Sequence, residues 1–323
     1  MCLCAACTGA PASQSPDPAS VAVQQSPLSA TPDAGVQSVA PRRARKLART
    51  PNVKALRGTV PGVTEGAPLA PAQLLSLPDG SELTLDFASG ARVVVAGPAV
   101  AAGADDELDG MLFKEGAASV DLPPGATTPN SGFWLATPAG RIDIVRGGRL
   151  ALHSFPSGEL SVLMVSGSAS FTRGTGEAPS RVQALLAPGE LLRVGGDYIE
   201  RSNGRSLTLE TALSQVRTHV PNPKHVASAG FLDGAIKQHM ADLKVAVEGE
   251  RALVAAHRQS VRDADGKAMG LQERLAGQAA VLAAARKRLR TLLEQRSAAR
   301  LGVDPQTSDP LAQQARALLG RAP

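Results

Sequence analysis

The segments LTLDFASGARVVVAGPAV (83–100) and ELSVLMVSGSASF (159–171) decide the fold. Each contains short runs of β-branched or apolar residues that are bounded by Gly, Pro, Asp or Ser. This pattern is typical of strands separated by tight turns. Three further pieces repeat it: KALRGTV (54–60), FWLATPAGRIDIV (133–145) and VQALLAPGELLRVGG (182–196). The spacing predicts an all-β roll or sandwich over residues 52–200.

Five motifs within this region, in this order, resemble the FecR domain, a periplasmic sensing and scaffold module of bacterial envelopes. They are LRGTV (56–60), LDFASGARVVV (85–95), the strand LATPAGRIDI (135–144), the hairpin VLMVSGSASF (162–171) and the turn LAPGELLRV (186–194). The chain departs from the family at 147–150, where Gly-Gly-Arg-Leu stands in place of a Gly-Thr-x-Phe strand. The resemblance implies a domain that relays a signal through protein contacts. A FecR regulator also has a cytoplasmic segment and a membrane helix, which this sequence does not show, so we do not expect an anti-sigma factor.

The composition favours one globular β-domain with extended segments around it. The chain has 323 residues, and aromatic residues make up 2% of them, so we expect a core of Val, Leu, Ala and Ile. The net charge is +5, a modest excess that a solvated surface explains without a nucleic-acid partner. No stretch of about 18 apolar residues occurs, so no transmembrane helix is expected.

The first seven residues hold all the cysteines, Cys2, Cys4 and Cys7. A zinc site normally needs four ligands and no His or Cys follows nearby, so a metal site is not favoured. Ala5-Ala6-Cys7, followed by a polar, proline-rich segment, resembles the lipobox of bacterial lipoproteins, although the basic and apolar parts of a signal peptide are missing. We therefore expect residues 1–7 to be the remnant of a lipoprotein signal, with Cys7 lipidated on the periplasmic side of the outer membrane. An accidental match is the alternative.

Residues 8–51 have the composition of a disordered linker. They are rich in Pro, Ala, Ser and Gln and have no apolar period, so they cannot bury enough surface to offset their ordering entropy. The linker ends in the basic run 42–49. A soluble tether end is the favoured interpretation, with binding of anionic surface polymers or nucleic acid as alternatives.

Two adjacent aromatic residues, Phe133 and Trp134, are the candidate contact surface of the β-domain. Successive side chains of a strand point to opposite faces, so one should lie in the core. The other would then be exposed and available for a partner.

No sequence motif indicates catalysis. GxSxG, HExxH, Walker and Rossmann patterns are absent, and the histidines do not cluster with carboxylates or cysteines. The acidic cluster 105–109 lacks the spacing of an EF-hand loop, so a solvated turn is favoured over a calcium site. We expect no enzyme, no cofactor and no metal, and the sequence identifies no small-molecule substrate.

Residues 229–301 carry a seven-residue apolar repeat. Its a-type positions are Met240, Val247, Val254, Val261, Ala268, Leu275, Leu282 and Leu289. An unbroken phase favours one long helix with a coiled-coil-like seam, and a helical hairpin turning at 263–266 is the alternative. Residues 201–228 are expected to be a linker, and 302–323 a flexible tail with a short helix at 309–320. The apolar stripe must be covered, so it predicts self-association, a protein partner or packing against the β-domain.

These features favour a non-enzymatic envelope protein, in which a FecR-like sensing or scaffold domain is tied to a membrane by a lipid and carries a helical assembly arm. The alternative is a cytoplasmic nucleic-acid or protein interaction module that uses the basic run and the coiled-coil helix. Steep loss of binding with added salt would favour the alternative. A carbohydrate-active enzyme with a scattered site is a third hypothesis, which paired carboxylates in a groove would support.

Overall fold

Alternating apolar residues build the β-region, as the sequence predicts. In strand β3, for example, Leu83 and Leu85 are buried while the residues between and beside them are more exposed.

The computed structural model describes residues 50–104, 109–125, 132–145, 147–174, 184–195, 198–204, 208–218, 229–263, 267–302 and 309–320. Its strands are β1 (Asn52–Arg57), β2 (Leu74–Leu77), β3 (Glu82–Asp86), β4 (Arg92–Gly103), β5 (Gly110–Asp121), β6 (Phe133–Thr137), β7 (Gly140–Ile144), β8 (Arg149–Ser154), β9 (Leu160–Ser166), β10 (Ala169–Thr172), β11 (Ala184–Leu186), β12 (Glu190–Val194) and β13 (Ile199–Asn203).

The strands form one curled, mixed sheet with β5 near its middle. Along its main path the order is β11-β10-β7-β6-β5-β8-β9-β12-β13, and β4, which also pairs with β5, connects to β2 and β3. β5 and β6 run parallel, whereas β5 is antiparallel to β4 and β8. The main core draws apolar side chains from β1 through β12. The predicted fold class, mainly β with a long C-terminal helical region, is confirmed.

Three predictions about the strands need correction. β5 was not predicted, because Lys114, Glu115 and small residues interrupt the β-branched pattern, and pairing on both sides overrides that weak propensity. The segment 135–144 is two paired strands, β6 and β7, with a turn at Pro138 and Ala139. The segment 162–171 is not a hairpin, because β9 pairs with β8 and β12 whereas β10 pairs with β7 and β11.

The region 147–150 still contains paired strand residues, although its sequence departs from the FecR pattern. β8 begins at Arg149 and pairs with both β5 and β9. Gly147 has a φ of 74°, a left-handed conformation that glycine adopts without steric cost. A glycine turn therefore leads into the strand here.

The predicted linker 201–228 contains the end of β13 and a helix, α1 (Leu209–Arg217). Its apolar residues fall on one face, and Ala212 and Val216 are buried against β8 and β9. Thr208 caps the helix by accepting a hydrogen bond from the backbone N–H of Thr211 at 3.2 Å. Part of this segment is therefore ordered against the sheet.

The favoured single long helix is wrong, and the alternative, a helical hairpin, is present. Helices α2 (Ala229–Asp263) and α3 (Ala268–Ala299) run antiparallel. Gln278 Nε2 donates to the carbonyl of Ala246 at 2.9 Å, and His239 Nε2 lies 2.9 Å from the carbonyl of Ala285. The stripe positions Met240, Leu282 and Leu289 share one buried apolar cluster, whereas the stripe position Val261 is 57% exposed.

The predicted short helix in the tail is α4 (Pro310–Gly320), and it packs on the hairpin. Ala312 and Ala315 are its buried residues. The strands and the helices belong to the same compact unit of the chain.

Candidate functional site

Some of the predicted site residues lie outside the part of the chain that the structure describes, and others are placed differently from the prediction. Cys7, the basic run 42–49 and the acidic residues 105–107 lie outside the described residues. Asp109, which was expected in a solvated turn, is buried, and its carboxylate accepts a hydrogen bond from the backbone N–H of Ser89. This residue therefore fixes a local turn.

The predicted exposed aromatic residue is not present, because Phe133 and Trp134 are both buried, at 1% and 3% exposure. The two side chains do point to opposite faces of β6, but each face is covered. Phe133 packs edge-to-face on Phe87 in the main core, with ring centroids 4.8 Å apart. Trp134 lies on the face that α3 covers, where it lines a cleft with Leu293.

Arg141 on β7 organises the junction between the sheet and α3. Its guanidinium lies 4.7 Å from the Trp134 ring centroid and 2.8 Å from the Asp143 carboxylate. It also donates to Glu294 Oε1 on α3 at 2.6 Å. Burial opposes its charge, but Glu294 and Asp143 outweigh burial and hold the pKa of Arg141 above its usual value. Arg141 is therefore a fixed cation that joins two elements.

Helix α3 packs closely against Gly174, just after the end of β10. Gly174 N–H donates to Gln295 Oε1 at 2.8 Å, and Gln295 Nε2 donates to the carbonyl of Pro138 at 3.3 Å. A Cβ on Gly174 would lie 2.5 Å from Gln295 Oε1, so a side chain there would separate the helix from the strand. Arg288 Nε also reaches the Gly174 carbonyl, at 3.3 Å.

Arg296 ties the three C-terminal helices together at the same end of the hairpin. Its guanidinium binds Asp233 on α2 and Asp309, which precedes α4. Although burial favours the protonated acid, Arg296 outweighs this effect and lowers the pKa of Asp309. Lys114 on β5 donates to the carbonyl of Leu301 at 2.9 Å. The base of the hairpin is thus fixed to both α4 and the sheet.

The other end of the hairpin is much less covered. We call residues 245–263 and 267–281 the arm. Large apolar side chains of the arm that are more than half exposed are Val245 (69%), Val261 (57%), Met269 (75%) and Val281 (55%). At the base, by contrast, Leu243, Leu282 and Leu289 are at most 1% exposed. The arm is therefore the candidate interaction surface of the C-terminal region.

In the described ranges, no group of three or more His, Cys, Asp or Glu is placed to hold a metal ion. Among the same residues, no helix is long and apolar enough to cross a membrane.

Sequence reasoning missed Arg141 and its partners because no local pattern connects them. Arg141 and Glu294 are 153 positions apart, and Gly174 and Gln295 are 121 positions apart. Glu294 and Gln295 fall beside the apolar stripe, where polar residues are ordinary on a solvated helix face. The signal that could have found them is the polar run 294–296, which directly follows three buried positions, 291–293, on α3.

Comparison with known proteins gives a limited result. No family model matches the chain, and no curated protein matches it. Two solved structures, at 2.50 and 1.65 Å resolution, are similar to part of it: both are of a provisionally assigned anti-sigma factor from Parabacteroides distasonis ATCC 8503. Each is 16% identical with a TM-score of 0.33, and the match covers 41% of this chain and 60% of that chain. This chain thus spans less than two thirds of those proteins, and the likeness is too distant to carry an argument about function.

Proposed function

We propose that this chain is a non-enzymatic protein of the bacterial cell envelope. In this proposal the FecR-like β-domain senses or scaffolds, a lipid on Cys7 holds it to a membrane, and the helical hairpin is an assembly arm. The observation that carries the proposal is the contrast within the hairpin, whose base is fixed to the sheet while its arm is exposed.

The arm has the properties of a surface for a protein partner. Helix α2 has 35 residues, so it is about 50 Å long, and its buried apolar side chains, Leu232, Ile236, Met240 and Leu243, all lie in its N-terminal half. Val254 and Leu275, midway along the arm, are only half-buried although they belong to the apolar stripe. Two helices cannot enclose such a stripe by themselves, so a further element is needed to cover it.

The buried ionisable side chains support a structural rather than a chemical role. Arg141 with Glu294 joins the sheet to α3, and Arg296 joins three helices. Glu159, which is fully buried, accepts a hydrogen bond from Tyr198 at 3.0 Å. Each of these groups is used to hold elements together.

Membrane attachment rests on the lipobox-like Ala5-Ala6-Cys7 and on the tether composition of residues 8–51. Bacterial lipoproteins carry more than one acyl chain, which makes anchoring firm. The test is metabolic labelling of the precursor, expressed from its genomic context, with a labelled fatty acid. Cys7→Ser should remove both the label and the membrane fraction, whereas Cys4→Ser should keep both. Labelling that survives Cys7→Ser, or a wholly cytosolic wild type, would reject the anchor and favour the cytoplasmic alternative.

Assembly through the arm is tested separately by sedimentation of the full chain over a range of concentrations, alone and with envelope extract. Val261→Asp combined with Met269→Asp should abolish association, because both side chains are exposed and neither supports the fold. Leu185→Asp is the matched control: this residue is 66% exposed but lies on β11, far from the arm in sequence. Association that persists in the arm variant, or that Leu185→Asp removes, would reject the proposed surface.

A further inference from the structure

A cleft of about 460 Å³ lies between the sheet and the C-terminal helices. This volume is within the range of about 300–1,000 Å³ that is common for small-molecule sites. Its sheet side includes Leu112 on β5 and Trp134 on β6, and its helical side includes residues of α3 and α4. It is distinct from the arm and does not depend on where the protein is located.

The helical walls are formed by regular faces of two helices. From α3 the lining residues are at 290, 293, 294 and 297, which is the spacing of one helical face. From α4 they are Arg316 and Leu319, one turn apart. Leu293 and Leu319 on the helical side, with Leu112 and Trp134 on the sheet side, are the large apolar side chains of the lining.

Small residues at the end of β4, Gly103 and Ala104, form part of the cleft wall. Ala72, which also lines it, has a φ of 54°, a left-handed conformation that residues other than glycine rarely adopt. Backbone conformations of this kind are concentrated at ligand sites.

The charge of the cleft is positive. Arg290 and Arg316 are exposed, and in the described part of the chain neither has a carboxylate partner. Glu294 also lines the cleft, and it is paired with Arg141 at 2.6 Å. The lining therefore carries two guanidiniums and one carboxylate, and the carboxylate is already held by Arg141.

We infer that this cleft binds a small amphiphilic carboxylate. The apolar body of such a ligand would lie against Leu112, Leu293 and Leu319, beside the Trp134 ring. Its carboxylate would accept hydrogen bonds from Arg290 and Arg316, because a guanidinium fork matches a carboxylate in shape and charge.

The experiment uses the full chain and sodium decanoate below its micellar concentration. Trp134 is the only tryptophan, so its fluorescence reports on the cleft directly. We expect a saturable change, and equilibrium dialysis of radiolabelled decanoate should give the same affinity. Arg290→Gln and Arg316→Gln should each weaken binding roughly tenfold, the loss expected for one hydrogen bond to a charged group.

Two controls separate this site from general surface binding. Lys287→Gln removes an exposed positive charge of α3 that is not in the cleft, and it should leave the affinity unchanged. Decanol has the same apolar body without the charge, and it should bind at least tenfold more weakly. Equal binding of decanol, unchanged decanoate affinity in both Arg290→Gln and Arg316→Gln, or no saturable response at millimolar decanoate would overturn the inference. Circular dichroism of each variant verifies that the fold is intact.

Discussion

Arg141 on β7 and Glu294 on α3 form an ion pair with a distance of 2.6 Å, although they are 153 positions apart in the chain. Their side chains are only 13% and 11% exposed. Arg141 also pairs with Asp143, so removing Glu294 would leave the Arg141 guanidinium with one carboxylate in place of two, in a position that water reaches poorly. The hairpin and the sheet are therefore energetically coupled through this contact.

Glu294→Gln tests that coupling with little change in shape. We expect the free energy of unfolding to fall by roughly 1–3 kcal/mol, because Arg141 would lose its closest counter-charge in a poorly solvated position. Urea unfolding followed by Trp134 fluorescence is the measurement, since Arg141 lies over the Trp134 ring.

Asp86→Asn is the matched control for this substitution. Asp86 pairs with Arg92 at 2.8 Å, but the side chains are 35% and 54% exposed. An exposed pair is worth only about 0–1 kcal/mol, so this variant should stay close to the wild type. Equal losses in the two variants would show that burial of the Arg141 pair has no energetic role.

Local pattern was sufficient to predict the strands with strong alternation and the apolar repeat of the helical region. β12 lies within a predicted segment, and β3 and β4 overlap one, because their apolar runs are bounded by turn residues. The pattern failed for β5, whose Lys114 and Glu115 look like loop residues, and whose strand character comes from pairing with neighbours on both sides. It also failed to separate one helix from a hairpin, because antiparallel helices can keep the same heptad phase.

The site was less predictable than the fold for a physical reason. One of Phe133 and Trp134 was expected to be exposed, because alternation alone says nothing about what covers the outer face of a strand. The cover is α3, which begins more than 130 positions later, at Ala268. Contacts such as Gly174 with Gln295 depend on that docking, and they leave no periodic signal in the sequence.

Gly167→Val tests the turn between β9 and β10. Gly167 has a φ of 72°, and a Cβ there would lie 2.5 Å from the Gly147 carbonyl oxygen. Both the backbone conformation and the close approach disfavour a side chain. We expect a loss of roughly 1–3 kcal/mol in thermal or urea unfolding.

Gly80→Val separates the two effects. Gly80 has a φ of 74°, but a Cβ there would meet nothing within 4 Å. This variant should lose only the conformational part, about 1–2 kcal/mol, and less than Gly167→Val. A wild-type melting midpoint for Gly167→Val would show that the turn is placed incorrectly.

Tyr198 should make stability depend on pH in the alkaline range. Burial and the hydrogen bond to Glu159 raise the pKa of Tyr198 to about 12, whereas an unfolded chain has a tyrosine pKa of about 10. The contribution of neutral Tyr198 to folding stability is therefore complete below pH 10 and is lost as the pH rises from 10 toward 12. Tyr198 is the only tyrosine, so phenolate absorbance measures its titration directly. Glu159→Gln should lower that pKa; an unchanged titration would rule out the Glu159 contact as a cause.

His239 should make stability depend on pH in the acidic range, at the base of the hairpin. Burial lowers the pKa of His239 below its usual value of 6.5, and Arg288 adds to the effect, while the Ala285 carbonyl and Asp242 oppose it. At His239 the unfolded chain therefore binds a proton more readily than the folded chain does. The contribution of neutral His239 to folding stability is complete above pH 6.5 and is lost as the pH falls below that value. Urea unfolding of His239→Phe should show a smaller decrease between pH 6.5 and 5 than the wild type does. Met240→Leu, at the next position, should keep the wild-type slope, and a slope that also persists in His239→Phe would assign the acid sensitivity to other groups.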